Sequence, residues 1–185
     1  MSTTFDFGFG PVPAHQHPNG RGWVADTAHV DDSAYIGPDA RVFGGARVSG
    51  GARVYGNARV SGNARVSGGA QVYGGAQVFG GAQVSGGARV YGDARVFGDA
   101  RVYGGARVYG DAKIAKSSDY LLIGPIGSRA DFLTWTRSDN CIATGCFRGT
   151  VKEFLAAVRE THGDNEHAKA YRAAVKFIRA MEKQP

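Results

Sequence analysis

From Val24 to Ile114 a β-branched aliphatic residue recurs at every sixth position without a slip, through Val30, Ile36, Val42, Val48, Val54 and onward to Val108. An alanine stands two residues before each aliphatic from Val30 onward, from Ala28 to Ala112. A glycine stands two residues after each valine from Val42 to Val108, from Gly44 to Gly110. The unit is Ala-x-Val-x-Gly-x. Six is not a helical period, and a glycine in every unit would cost a helix roughly 1 kcal/mol each time. In a strand, residues two apart share a side, so Ala and Val point one way and the residues flanking Val point the other. Pairs such as Gly56-Asn57 tolerate positive φ and supply a corner. Each hexad is therefore one short strand and one corner. A single hexad buries almost nothing, but stacked hexads bury a column of Val and a column of Ala and pair their backbones.

The residue after each valine sets the length of a coil. At a spacing of 18 the columns are Tyr55, Tyr73, Tyr91, Tyr109; then Ser49, Ser67, Ser85, Tyr103; then Phe43, Ser61, Phe79, Phe97. At a spacing of 12, Phe, Tyr and Ser mix in one column. Like residues stack when coils stack, so the spacing predicts three strands per 18-residue coil. The expected fold is mainly β: a parallel β-helix solenoid of about five coils, shaped as a triangular prism roughly 25 Å tall, with a small C-terminal α+β cap.

The Ala-x-Val-x-Gly-x unit resembles the repeat of the hexapeptide-repeat family, whose fold is a left-handed parallel β-helix. Within that family it is most similar to the poorly characterised Ala-x-Val-x-Gly-x proteins of bacteria and phages. The resemblance covers about half of the chain. It implies the left hand, which periodicity cannot show, and association as a homotrimer packed through one prism face. One departure is that the residue after the aliphatic, often Gly in the family's enzymes, is here Tyr, Ser or Phe.

The flanks divide the chain into an arm or plug over 1–23, the solenoid over 24–116 and an α+β domain over 117–185. Phe5, Phe7 and Phe9 alternate with Asp6 and Gly8. The open end of a solenoid is an exposed edge that must be covered, so the triplet is expected to plug the first coil or to pack on a neighbouring subunit. His15 and His17 lack a third metal ligand nearby and are read as loop residues. After Ala115 the hexad is lost. Tyr120 to Ile126 reads as a strand, and 132–137 and 141–147 as a hairpin around Ser138-Asp139-Asn140. Thr150 and Glu153 form a capping box that opens a helix with Val151, Phe154, Leu155 and Val158 on its apolar face, stopped by Gly163. A second helix is expected from about Glu166 to Lys183, with Ala168, Tyr171, Val175 and Ile178 on one side.

The 185 residues carry a net charge of +6, and most of the excess lies in the arginine before each valine. The middle coil replaces that arginine with Gln71, Gln77 and Gln83. The two cysteines, Cys141 and Cys146, form no disulfide framework and suit a reducing compartment. No stretch has the length of a membrane span, and Met1 to Gly10 lacks the basic start and apolar run of a signal peptide. The expected location is cytoplasmic or virion-associated, with no membrane partner.

Two groups of residues are candidates for function. Tyr55, Tyr73, Tyr91 and Tyr109, with Arg53, Arg89 and Arg107, form one face that suits a subunit interface or a platform for stacked ligands. Gly124, Gly127, Ser128 and Arg129, with His162 brought across the cap, form a candidate anion loop for a small phosphate-bearing ligand. The loop lacks the Lys-Ser/Thr ending of a P-loop, and a Gly-Pro turn between strands is the plainer reading. No metal site and no cofactor are expected.

These features favour a non-catalytic, oligomeric scaffold that presents the C-terminal domain, in keeping with the phage resemblance. A binding module for a polyanion, a small nucleotide or a glycan is the alternative from a second class. An acyltransferase, an activity common in the hexapeptide family, is the third. Such enzymes look to a histidine general base near a subunit cleft. Here no histidine occurs between His29 and His162, His29 is expected to face outward, and no loop interrupts the coils. The family's carbonic-anhydrase branch needs three metal-binding histidines in the coils, which this sequence does not have.

Overall fold

The structure is a computed structural model that describes residues 3–182. The hexads form a β-solenoid with three walls. Wall I stacks the strands Trp23–Ala25, Arg41–Val42, Arg59–Val60, Gln77–Val78, Arg95–Val96 and Lys113–Ile114. Wall II stacks His29–Val30, Arg47–Val48, Arg65–Val66, Gln83–Val84 and Arg101–Val102. Wall III stacks Tyr35–Ile36, Arg53–Val54, Gln71–Val72, Arg89–Val90 and Arg107–Val108. Neighbours in each wall are parallel and 18 residues apart, so that Val72 lies between Val54 and Val90. The strands are short, but the bonding continues past their ends: the Arg53 N–H donates to the Ala70 carbonyl at 2.9 Å and the Tyr55 N–H to the Val72 carbonyl at 3.0 Å.

The core follows from the alternation. Every alanine and aliphatic of the repeat from Ala34 and Ile36 to Ala112 and Ile114 has 0% exposure. Burial of a Val side chain is worth roughly 1.5–3 kcal/mol, and these columns are where the coils bury their apolar surface. The corners need glycine for two reasons at once. Gly62 has a φ of +65°, and a Cβ there would lie 2.9 Å from the Gly80 nitrogen of the next coil.

The arm extends wall I instead of plugging the prism. Thr4–Asp6 and Pro11–Gln16 form an antiparallel hairpin whose second strand pairs with Trp23–Ala25, His15 opposite Val24. The Asp6 carboxylate accepts from the N–H groups of Gly8, Phe9 and Gly10, at 2.7, 3.1 and 3.0 Å, and organises the turn. Those backbone donors hold the carboxyl below its ordinary range. The phenylalanines pack on the outer side of wall I: Phe5 stacks on Trp23 at 4.5 Å, and Phe7 lies 5.1 Å from Phe43. Trp23 and Phe43 flank inward-pointing valines, so strand alternation turns both outward. The expectation of a plug is corrected on this ground. The lower edge of wall III is met by the loop after His17, where the Gly22 N–H donates to the Ile36 carbonyl and the Asn19 side chain to the Ala34 carbonyl.

The C-terminal part covers the other end of the prism. Four antiparallel strands, Tyr120–Ile126, Asp131–Thr136, Cys141–Thr144 and Phe147–Thr150, form one sheet in chain order. The helices α1 (Val151–His162) and α2 (Glu166–Glu182) pack on it. The sheet is buried on both faces. Tyr120 and Leu122 pack on the solenoid core, while Leu121, Ile123, Leu133, Trp135 and Ile142 pack against the helices. That is why Tyr120 to Ile123 is a continuous apolar run and not an alternating one.

The capping box of α1 forms as expected, with Glu153 N–H donating to Thr150 Oγ1 and Thr150 N–H to Glu153 Oε2. The expected strand 141–147 is broken by a turn, because Gly145 sits at a φ of +51° and reverses the chain into a fourth strand. The expected last residue of α2, Lys183, lies outside the described residues.

Candidate functional site

Wall III and its corner bring together the aromatic and basic residues singled out in the sequence. The rings of Tyr55 and Tyr73 stack at 4.9 Å with 1° between their planes, and Tyr73 and Tyr91 at 4.9 Å with 2°. Tyr91 and Tyr109 are more open, at 5.9 Å and 24°. The spacing is that of the coils, so the backbone repeat sets the ladder. Arg53 lies over two rings, its guanidinium carbon 5.3 Å from the Tyr35 centroid and 5.6 Å from that of Tyr55. Arg89 sits in the same column between Gln71 and Arg107. Burial and the flanking Tyr91 and Tyr55 push the Tyr73 phenol above its ordinary value.

The upper part of this face belongs to the junction with the cap. Arg148, in the cap's last strand, lies 5.3 Å over the Tyr91 ring and donates from Nε to the Tyr91 hydroxyl. The Tyr109 hydroxyl donates to the Ile142 carbonyl at 3.4 Å, and burial pushes this phenol strongly upward. Arg107 donates to the Gly145 carbonyl at 2.8 Å and to the Asp131 carboxylate at 2.9 Å. Arg107 and Tyr109, expected on an open platform, are thus bound to the cap, because the last coil has no further coil above it. Tyr55, Tyr73, Arg53 and Arg89 remain on the free length of the face.

The same edge shows residues that the sequence did not single out. In every lower coil the N–H before the valine donates to the next coil. In the last coil those donors find side-chain oxygens: the Arg101 N–H meets Ser117 Oγ at 3.2 Å, the Arg107 N–H meets Thr134 Oγ1 at 2.9 Å, and the Lys113 N–H meets Ser138 Oγ at 2.8 Å. The Ala115 N–H adds a bond to Asp119 Oδ2 at 2.8 Å. Each wall therefore ends on a hydroxyl, which satisfies donors that would otherwise template another strand. Ser and Thr in turns and strands carry no signal of such a role.

The candidate anion loop divides differently. Ser128, Arg129 and His162 line one cavity of about 180 Å³ between the sheet and the helix pair. Gly124 and Gly127 do not line it. Gly124 precedes Pro125 at a bulge between Tyr120–Ile126 and Asp131–Thr136, and a Cβ there would lie 2.9 Å from the Asp131 carbonyl oxygen. Gly127 passes directly under the Tyr171 hydroxyl, where a Cβ would overlap it. Their glycines serve close approach, and the backbone-amide cradle is corrected to a cavity lined by side chains.

Its apolar lining comes from Phe147, Phe154, Ala157 and Val158, and Tyr171 stands beside Phe154 at 5.3 Å. Burial raises the Tyr171 phenol above its ordinary value, against a hydrogen bond with Thr144 that lowers it. On the outer side of the helices, Arg159, Arg172, Lys176 and Arg179 surround a second groove with Leu155 and Val175.

Together these features define a β-solenoid repeat protein whose upper end is closed by an α+β cap. Residues 52–68, 58–74, 88–104 and 94–110 match a family model described as the YdcK β-solenoid repeat. All four spans lie within the coils, so this similarity is one of the repeat unit and leaves the cap uncovered. No curated protein and no solved structure matches the chain significantly. Among the described residues, no helix is long and apolar enough to cross a membrane.

Proposed function

We propose that this protein is a non-catalytic scaffold: a solenoid that holds its C-terminal cap in one orientation and assembles through the tyrosine-edged face of wall III. The observation that carries this reading is the closed upper edge, where Ser117, Thr134 and Ser138 accept the last N–H of each wall and Arg107 ties wall III to Asp131. Such an end does not add further coils. The free length of wall III, with stacked Tyr55 and Tyr73 between Arg53 and Arg89, then supplies the lateral contact. The hexapeptide-repeat resemblance supports a trimer packed through one prism face. Sedimentation equilibrium tests this: the wild type is expected at three times the chain mass, and Tyr55→Ser with Tyr73→Ser at the chain mass. A monomeric wild type overturns the assembly.

A second reading, a module that binds a polyanion, is favoured by two observations. Six arginines and no acidic residue lie between Arg41 and Gly92, and four cations surround the groove on the helix pair. Retention of the wild type on a heparin column, lost as salt rises, would support it. Elution with the void volume at low salt would sink it.

A further inference from the structure

We propose that the cavity in the cap binds a small aromatic monocarboxylate, its ring among Phe147, Phe154 and Val158 and its carboxylate on Arg129. This goes beyond the scaffold reading and does not depend on assembly.

Size comes first. At about 180 Å³ the cavity is slightly larger than an engineered apolar cavity of roughly 150 Å³ that takes up benzene. It is smaller than the usual range for drug-sized ligands, about 300–1,000 Å³. One six-membered ring with one substituent fits this volume. The lining supports a ring: Phe147 and Phe154 lie 5.2 Å apart and tilted, Phe154 and Tyr171 meet edge to face, and His162 lies 5.8 Å from Tyr171. A further ring extends an edge-to-face cluster of this kind.

The lining contains two charged groups, Arg129 and Asp131. Asp131 is already matched by Arg107 at 2.9 Å and by the Phe132 N–H. Arg129 makes no ion pair among the described residues, and its Nη1 rests 3.8 Å from the Cys146 sulfur. Arg129 is exposed at the mouth of the cavity, where solvent reaches its guanidinium, and a carboxylate bound there would meet its planar fork with two parallel bonds. The hydroxyls of Ser128 and Thr161 in the same lining offer further donors.

Benzoate and its neutral isostere benzamide are the probes, titrated into the full chain by NMR. Benzoate is expected to saturate with a dissociation constant on the order of 1 mM, and benzamide to bind roughly tenfold more weakly. Arg129→Gln should abolish that preference, and Ala157→Leu, which fills the cavity, should remove binding of both. A readout on the wild type avoids any folding defect of the variants. Alkylation of Cys146, exposed at the rim, should slow more in benzoate than in benzamide at equal concentration, while part-buried Cys141 serves as the internal control. Equal affinity for the two probes, a preference that survives Arg129→Gln, or unprotected Cys146 at saturating benzoate would each overturn the proposal.

Discussion

The guanidinium of Arg107, on the last strand of wall III, lies 2.9 Å from the carboxylate of Asp131 in the second strand of the cap, with both side chains largely shielded from water. Burial alone would push the Asp131 carboxyl up, but the Phe132 N–H and Arg107 outweigh it and hold it below its ordinary value of 3.8. A carboxyl whose folded value is depressed contributes stability above its unfolded value, and that contribution is lost as pH falls through the folded value. The wild type should therefore lose stability between about pH 4 and lower pH, in part through this pair. Asp131→Asn should lose about 1–3 kcal/mol at neutral pH, as expected for a part-buried ion pair, and show a flatter acid limb. Urea midpoints measured against pH check both. An Asp131→Asn protein with the wild-type acid limb would show that other carboxyls control it.

The corner glycines separate two costs that usually arrive together. Gly62 and Gly110 share a φ of +65°, but a Cβ on Gly62 would lie 2.9 Å from the Gly80 nitrogen, whereas one on Gly110 would meet nothing within 4 Å. Gly110→Ala should cost about 1 kcal/mol for the left-handed backbone alone. Gly62→Ala should cost more, because the coil above must move. Thermal melts of the two variants check the order. Equal losses would mean that the coils yield freely at their corners.

Tyr120 predicts an alkaline limb. Burial raises its phenol from an ordinary 10.0 to about 12, against a backbone hydrogen bond from Tyr103 that lowers it. A raised folded value gives stability that is fully present below pH 10 and is lost as pH rises toward about 12, because the unfolded phenol ionises first. The wild type should lose on the order of 2 kcal/mol across that window. Tyr120→Phe should shrink this limb, to which the raised phenols of Tyr73, Tyr109 and Tyr171 also contribute, at some cost at neutral pH, since the Tyr103 N–H loses its acceptor. Far-ultraviolet circular dichroism against pH provides the measurement, and an unchanged alkaline limb in the variant would remove Tyr120 as its source.

Much of the architecture was legible because it is periodic. A side chain that returns every six residues must return to the same place on a coil, so the 18-residue register, the buried Ala and Val columns and the tyrosine stack follow from the sequence alone. Local chemistry was legible for the same reason: the Thr150–Glu153 box and the stop at Gly163 each involve neighbours in the chain. The fourth cap strand was hidden because Gly145 reads as a residue within a strand until its φ is known.

The order of residues along the chain specifies the coil length, the direction in which each repeat residue points and the two helices. Packing between distant parts of the chain settled how the repeat ends. It decided that Ser117, Thr134 and Ser138 stand in for a missing coil, that Arg107 and Tyr109 turn to the cap, and that Arg129 and His162 share one cavity. The reason is physical: those contacts join residues far apart in the chain, each made once. A contact made once leaves no period to read, and a backbone donor accepts any oxygen that packing brings within reach.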